Sequence, residues 1–187
     1  MIRRCDWANG SAAMEAYHDR EWGKPLHGDS ALFEFLVLEG AQAGLSWRSV
    51  LDRRAAYRGA FHDYDIARIA AMTDAELEAL LSDGAIIRNR LKVFSVRANA
   101  RAALAVAAEH GSLDAYLWSF VDNRPIVNAW TEAAQVPART ELSDTLSRAL
   151  KKRGFSFVGS TICYAFLQAT GMIDDHLTHC ACRTRAA

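Results

Sequence analysis

Apolar residues recur along the chain at the three- and four-residue spacing of helix faces that pack on a core. The run ALFEFLVL at residues 31–38 predicts a buried helix, and STICYAFLQATG at residues 160–171 has helical periodicity and ends at Gly171. No stretch alternates apolar and polar residues as a half-buried strand does. The pattern therefore predicts an all-α protein of about eight to ten short helices, without internal repeats or low-complexity segments.

Capping signals predict where two further helices begin. Thr73 is followed three residues later by Glu76, the spacing of a capping box. The segment 143–154 begins with Ser143 as a possible N-cap, has basic residues in its last turn and stops at Gly154. Residues 77–96 are predicted to form two helices joined by a tight turn at residues 82–85, and the helix N-terminus beyond that turn is suited to binding phosphate.

Basic residues are concentrated in two windows that contain no Asp or Glu. Residues 84–108 contain Arg88, Arg90, Lys92, Arg97 and Arg101, and residues 145–173 contain Arg148, Lys151, Lys152 and Arg153. These nine of the 22 basic residues are placed as a phosphate-binding face on a neutral protein would need. The alternative is two solvated helix faces balanced by acids elsewhere in space.

Composition narrows the class of protein. The 187 residues, 51% of them hydrophobic, are enough for one domain or two small lobes around a core. The first residues, MIRRCDWANG, lack an apolar signal-peptide core, and no apolar run reaches the roughly 18–20 residues of a membrane span. A cytoplasmic protein without membrane contact is expected. The formal net charge of zero excludes a globally basic nucleic-acid binder but not a locally basic face.

Cysteine and histidine residues near the two chain ends form a candidate metal site. Cys5 and His18 lie near the N-terminus, and His176 and Cys180 lie near the C-terminus at a spacing that would share one helix face. Two cysteines and two histidines make a closed zinc site, which would tie the chain ends together. The alternatives are a Cys5–Cys180 disulfide or unrelated surface residues, and His179 and Cys182 are alternative ligands for the C-terminal half.

Aromatic residues accompany one carboxylate in the first part of the chain. Glu39 directly follows the apolar run 31–38, where an acid is rare unless something pairs with it. Trp7, Tyr17, Trp22 and Trp47 lie nearby in sequence. Such rings are as often core as pocket, but Trp7 and Trp22 have polar, turn-like surroundings. Electron-rich rings with one carboxylate favour a flat, cationic or N–H-rich ligand, and an alkylated purine is such a ligand.

Seven blocks of sequence form a set that begins at Cys5 and ends at His176. They are CDWANG, AYHDREWG, LFEFLVLEGAQAGLSWRSVLDRR, YRGAF, IIRNRLK, WSFV and SDTLSRALKKRGFSFVGSTICYAFLQATGMIDDH. Together they closely resemble the 3-methyladenine DNA glycosylase I family, and LEGAQAGLSW and LKKRGFSFVGSTICY are the most specific. The resemblance implies an all-α helix–hairpin–helix glycosylase fold. It also implies a single glycosylase unit over residues 1–187, with two helical lobes and a base pocket between them.

The resemblance also implies functional roles, position by position. A structural zinc ion that joins the termini is expected on Cys5, His18, His176 and Cys180. A base pocket is expected from Tyr17, Glu39 and Trp47, with Trp7 and Trp22 alongside. DNA contacts are expected from Gln42, Gly44 and Leu45 in a loop that enters the duplex, from Gly84, Ile86, Ile87, Arg88 and Arg90 at the hairpin, and from Lys151 and Lys152.

The lesion itself explains why one catalytic group is absent. Many members of the superfamily carry a catalytic Asp after the hairpin, but residues 84–108 contain no acid. A purine methylated at N3 is cationic in the nucleotide and departs as a neutral base, so base flipping into an electron-rich, desolvating pocket can suffice. Glu39 is then expected to recognise the purine and stabilise it electrostatically as it leaves, with activation of water as a lesser role.

We therefore predict a monofunctional DNA repair glycosylase, a hydrolase of N-glycosyl bonds. It would release free 3-methyladenine from alkylated double-stranded DNA, leave an abasic site, act as a monomer and need no organic cofactor. The alternative is a catalytically inactive, zinc-stabilised helix–hairpin–helix module that binds damaged DNA.

Overall fold

The computed structural model describes residues 3–82 and 84–184, and within these ranges the chain is mostly helical, which confirms the predicted all-α class. Ten α-helices follow one another: α1 Ala12–Arg20, α2 Asp29–Gln42, α3 Trp47–Leu51, α4 Arg54–Ala60, α5 Ile66–Ala71, α6 Asp74–Ser82, α7 Arg90–His110, α8 Leu113–Trp118, α9 Glu141–Lys152 and α10 Ser160–Ala169. Short 3-10 helices lie at Asp6–Ala8, His62–Tyr64, Ser119–Val121 and Ala133–Gln135. None of the described helices is long and apolar enough to cross a membrane.

One small sheet departs from the prediction that strands are absent. Strand β1, Ile126–Val127, pairs in parallel with strand β2, Ile173–Asp174. Two residues per strand are too few to produce an alternating pattern, so this pairing could not be predicted from periodicity. The pairing fixes the segment that leads directly into Asp175 and His176.

Helix α2 lies at the centre of the fold and contacts α3, α7, α8 and α10. Its residues are buried from Leu32 to Ala41, as the apolar run predicted. Two of these buried residues are acids. Glu34 is paired, since it accepts from Arg54 at 2.8 Å and from Arg58 at 3.0 Å. Glu39 has no such partner, and its position at the last turn of α2 places it in the wall of a cavity.

The capping prediction is right for α6 and wrong for α9. Thr73 Oγ1 accepts from the backbone N–H of Glu76 at 3.2 Å, and Glu76 Oε2 accepts from the N–H of Thr73 at 2.7 Å. Helix α9 begins earlier than predicted, because Thr140 is its N-cap and Ser143 is the reciprocal member of the capping box.

Helix α10 ends two residues before the predicted stop at Gly171. Gly171 has a φ of +66°, and a Cβ atom there would lie 2.0 Å from the carbonyl carbon of Lys24. Gly171 directly follows the C-cap Thr170, and its N–H donates to Gln168 O at 3.2 Å, so the glycine both ends the helix, as predicted, and allows a close backbone approach.

Candidate functional site

A cavity of about 380 Å³ opens at the C-terminal end of α2. All five residues predicted for a base pocket line it: Trp7, Tyr17, Trp22, Glu39 and Trp47. The 3-10 helix at residues 6–8, helix α1, the turn after α1 and the start of α3 supply the rings, and α2 supplies the acid. Gln42, which was predicted to contact DNA, also lines this cavity.

The aromatic rings of the cavity contact one another at tilted angles. Tyr17 and Trp47 have ring centroids 5.2 Å apart at 45°. Trp7 and Trp22 meet edge to face at 4.9 Å, and Trp7 lies 6.3 Å from Tyr17. Such contacts stabilise the rings against each other while leaving π-faces on the cavity wall. A flat ligand can therefore stack without first displacing a packed side chain.

Glu39 is the unusual group of this cavity. Its side chain is 3% exposed, and its Oε2 atom has no hydrogen-bond partner among the described residues. Burial raises the pKa of Glu39 to about 8, because the charged form is poorly solvated there. The unpaired acid is therefore mostly protonated near neutral pH in the free protein, and a ligand that brings positive charge or N–H groups would favour its ionised, accepting form.

Two other residues that line the cavity, Trp47 and Tyr17, are affected by the same burial. The indole Nε1 of Trp47 is buried and donates to no group in the described part of the chain. Burial, followed by the nearby Glu39 charge, raises the pKa of the Tyr17 hydroxyl well above its usual value, so Tyr17 remains a neutral donor. The cavity thus presents one acceptor from Glu39 and a free donor from Trp47 to its ligand.

The sequence LEGAQAGLSW has two glycines near Glu39, Gly40 and Gly44, but only Gly44 lies in the loop that follows α2. Gly44 has a φ of +78° and open space around it, and Leu45 beside it is 44% exposed. Gly40 lies inside α2 instead, where a Cβ atom would approach the Cβ of Phe157 to 3.2 Å. The two glycines therefore have different roles: Gly40 allows close packing, and Gly44 allows the turn.

The predicted hairpin lies between α6 and α7, which pack against each other. Gly84 and Arg88 are exposed, Ile86 is buried and Ile87 is half-buried. The two isoleucines hold the turn on the body of the protein. Arg90 bonds Glu78 at 2.6 Å and covers the ring of Phe94 at 4.1 Å, so its charge is partly neutralised.

The remaining cations of the two acid-free windows differ in their availability. Lys151 and Lys152 are exposed at the end of α9. Four others are engaged with groups of the protein: Lys92 with Ala41 O and Ala43 O, Arg97 with Met72 O and Asp74, Arg101 with Ala70 O, and Arg153 with Glu109. The positive charge that can face DNA is therefore concentrated on fewer residues than the sequence suggested.

A cluster of metal-binding groups lies where the two chain ends meet. The ligand atoms of His18, His176, Cys180 and Cys182 lie within 4.8 Å of one another. Cys180 Sγ is 3.5 Å from His18 Nε2. The C-terminal segment that carries these groups is irregular, so the expectation that His176 and Cys180 share a helix face is wrong.

Both histidines are oriented for a ligand on Nε2. His18 Nδ1 lies 2.8 Å from Asp19 Oδ1, and His176 Nδ1 lies 2.7 Å from Asp174 Oδ1. These carboxylates fix the ring orientation and direct Nε2 into the cluster. The Nε2 atom of His176 is buried without a partner among the described residues, so this atom is available to bind a metal ion.

The distances in the structure and the family resemblance select different cysteines, Cys182 and Cys5, as the fourth member of this cluster. Cys182 belongs to the tight cluster and Cys5 does not. However, Cys5 Sγ accepts the N–H of Leu177 at 3.5 Å, and Cys180 Sγ accepts the N–H of Cys182 at 3.5 Å. Backbone donors favour a thiolate, although burial outweighs the donor at Cys5 and raises the pKa of that thiol to about 12. Cys182 Sγ instead faces the carboxylate of Asp19 at 3.5 Å, which favours the protonated thiol.

Sequence reasoning missed several residues of the site. Asp175 lines the cavity and accepts four hydrogen bonds, from Asn128, Trp130, Tyr164 and Gln168. The sequence carried one usable signal, since an acid adjoins each candidate histidine in the HD pair at residues 18–19 and in DDH at residues 174–176. The far wall of the cavity, including Ala133, Val136, Gln168 and Leu177, comes from segments remote in sequence and gave no signal.

Comparison with known proteins shows which family this chain is similar to. The sequence model of the methyladenine glycosylase family matches residues 7–184. DNA-3-methyladenine glycosylase of Haemophilus influenzae is 46% identical over 184 residues, which is 98% of this chain and 100% of that protein. DNA-3-methyladenine glycosylase 1 of Escherichia coli is 45% identical over 181 residues, which is 97% of each chain.

Solved structures agree with the sequence comparisons. A crystal structure of 3-methyladenine DNA glycosylase I has a TM-score of 0.93 at 48% identity and covers 97% of this chain and 100% of its own. A structure of that enzyme from Staphylococcus aureus, on 3-methyladenine recognition, has a TM-score of 0.96 at 31% identity, with 100% and 99% covered.

The fold and the cavity therefore define a helical glycosylase, a hydrolase class that acts on N-glycosyl bonds. Within that class, the chain belongs to the methyladenine glycosylase family.

Proposed function

We propose that this protein excises 3-methyladenine from alkylated double-stranded DNA by hydrolysing its N-glycosidic bond, which leaves an abasic site. One observation carries the proposal: an unpaired, buried carboxylate, Glu39, lies in a cavity walled by four aromatic rings. A cavity of about 380 Å³ is large enough for a purine that has been flipped out of the duplex.

In this proposal, Glu39 accepts the N–H groups of the purine, and the rings of Tyr17 and Trp47 cover its faces. A 3-methylated purine is cationic while it remains attached to the sugar. Its charge near Glu39 would favour the ionised carboxylate, so that the buried acid and the lesion stabilise each other. An undamaged adenine brings no such charge and leaves Glu39 without this compensation.

The chemical step then needs little from the protein. The cationic base departs as a neutral molecule, and water is the final acceptor at the sugar carbon. None of the described residues that line the cavity is a lysine, which supports a monofunctional enzyme without a Schiff-base intermediate. Glu39 stabilises positive charge as the bond breaks, and its activation of water is a lesser role.

DNA contact is assigned to two exposed features near the cavity. The loop with Gly44 and the exposed Leu45 would enter the duplex as the base leaves it, with Gln42 close by. The hairpin around Gly84, together with Arg88, would hold the phosphate backbone. The exposed Lys151 and Lys152 add charge to this surface. We take the active species to be a monomer.

We further propose that Cys5, His18, His176 and Cys180 hold a structural zinc ion. The ion would supply no chemistry to the reaction and would stabilise the joined chain ends. The oriented histidines and the unpartnered Nε2 of His176 support this donor set. The backbone N–H groups on Cys5 Sγ and Cys180 Sγ favour these two thiolates over Cys182.

Two cysteine variants form a matched test of the zinc assignment. Cys5→Ser should reduce the zinc content well below about one ion per chain, while Cys182→Ser should retain it. The opposite order would assign the fourth ligand to Cys182, and wild-type protein purified without zinc would remove the proposal.

Chromatography of the bases released from methylated duplex DNA tests the proposed reaction. We expect release of 3-methyladenine by the wild-type protein and much slower release by Glu39→Gln. A wild-type protein that binds methylated DNA but releases no base would instead support the alternative, an inactive module that binds damaged DNA.

A further inference from the structure

The side chain of Lys92 connects the hairpin to the end of α2. It leaves the first turn of α7, and its Nζ donates to Ala41 O at 2.8 Å and to Ala43 O at 2.6 Å. These carbonyls belong to the last turn of α2 and to its C-cap. The last carbonyls of a helix have no partner within the helix, so Lys92 satisfies groups that water or another donor would otherwise have to bind.

This lysine is committed to the protein rather than to DNA. Its side chain is half-buried, and burial lowers the pKa of its ammonium group. No described acid lies within ion-pair distance of it, so its charge interacts with the carbonyl ends of α2, where a cation is favourable. Lys92 therefore differs from the exposed lysines at the end of α9.

The two carbonyls flank Gln42 and precede the loop of Gly44 and Leu45. On the other side, the N–H of Lys92 is capped by Asn89 at 3.1 Å, within the hairpin that also contains Arg88. One side chain thus joins the segment assigned to phosphate binding to the segment assigned to duplex entry.

We infer that Lys92 is a positioning residue. It holds the 43–46 loop in the position from which the loop can enter the duplex and displace the lesion. The inference depends on the proposed function. Without this contact, the loop carbonyls would be freed and Gly44 would allow the loop to move. Base flipping should then be slower, while the cavity itself remains formed, because Lys92 is not among the described residues that line it with Glu39 and the rings.

The test compares duplex with single-stranded methylated DNA, because single-stranded DNA has no paired base to displace. In Lys92→Met, we expect excision from duplex to fall about tenfold to hundredfold, and excision from single strands to fall much less. Affinity for free 3-methyladenine should stay within about twofold of wild type. Lys92→Arg retains the cation and should recover most of the duplex activity.

Arg101→Met is a matched control. Arg101 also lies on α7 and donates to a backbone carbonyl, Ala70 O at 2.9 Å, but that carbonyl belongs to α5. Its loss should not change the ratio of duplex to single-strand excision. If Lys92→Met lowers both activities equally, or lowers free-base affinity as much as excision, the positioning role is wrong and Lys92 only stabilises the fold. If the wild-type protein releases no base from either substrate, the proposed function fails first.

Discussion

Glu39 and Trp47 line the same cavity, and each leaves one buried polar atom, Oε2 and Nε1, without a partner among the described residues. One is an acceptor and the other a donor, so a single ligand with both kinds of group could satisfy the pair. Leaving such atoms without hydrogen bonds destabilises the free protein, and the lost stability is recovered only when the ligand binds.

The first prediction concerns recognition of the base by Glu39. Glu39→Gln removes a charged acceptor, and we expect about tenfold to hundredfold weaker binding of free 3-methyladenine, with slower excision. Non-specific DNA affinity should barely change, because the phosphate contacts lie elsewhere. Isothermal titration with the free base and a base-release assay would measure these effects.

Glu34→Gln is the matched control, since it removes the other buried acid of α2. It leaves Arg54 short of a partner and should therefore lower stability while sparing base affinity. Unfolding of Glu39→Gln would make Glu39 a structural residue. Loss of cleavage with unchanged base affinity would favour a general-base role for Glu39.

The second prediction follows from the pKa of Glu39. Burial raises this pKa to about 8, above its value in the unfolded chain, so the folded state holds a proton that the unfolded state releases. The contribution of Glu39 to stability is fully present below the unfolded pKa and is lost as the pH rises through the folded pKa. The loss could amount to several kcal/mol, on the order of 5 at most.

Glu39→Gln cannot lose a proton, so its stability relative to wild type should rise between about pH 5 and pH 8. Urea unfolding of both proteins across this range would measure the difference. A constant difference at every pH would mean that Glu39 titrates near its ordinary value, and that the cavity does not desolvate it.

The sequence pattern predicted the helical class, the buried α2 and the residues of the aromatic cavity, because each depends on local periodicity or on a costly acid in an apolar run. It could not predict that Lys92 caps α2 or that Asp175 closes the cavity, since these contacts join segments far apart in the chain. The start of α9 was misplaced because Thr140 competed with Ser143 for the cap. Nor could the sequence show why Gly40 lies inside α2, since its role is set by the close approach of Phe157, which is distant in the chain.

The third prediction concerns phosphate binding. Arg88 is exposed and forms no ion pair with the described residues, whereas Arg90 is already paired with Glu78 at 2.6 Å. Arg88→Gln should therefore weaken binding of any duplex and reduce the slope of log affinity against log salt by about one. Arg90→Gln should have a smaller effect. Fluorescence anisotropy at several salt concentrations would test this, and an unchanged slope for both variants would mean that the hairpin cations only face solvent.

The last prediction concerns the contact between Gly23 and His176. A Cβ atom on Gly23 would lie 2.8 Å from both Cε1 and Nδ1 of the His176 ring, and 3.3 Å from Asp174 Oδ1, which orients that ring. Gly23→Ala should therefore displace a proposed zinc ligand, and we expect about tenfold or greater loss of zinc affinity. A φ of +72° at Gly23 adds backbone strain, which has to be separated from the effect on the metal.

Gly111→Ala provides that separation, since Gly111 has a φ of +88° and open space around it. Both variants should lose about 1–3 kcal/mol of stability from backbone strain, but only Gly23→Ala should release zinc to a weak chelator. Thermal unfolding with and without the chelator would show the difference. If Gly23→Ala keeps its zinc as firmly as Gly111→Ala does, then either the ring of His176 can shift without loss of binding or His176 is not a ligand.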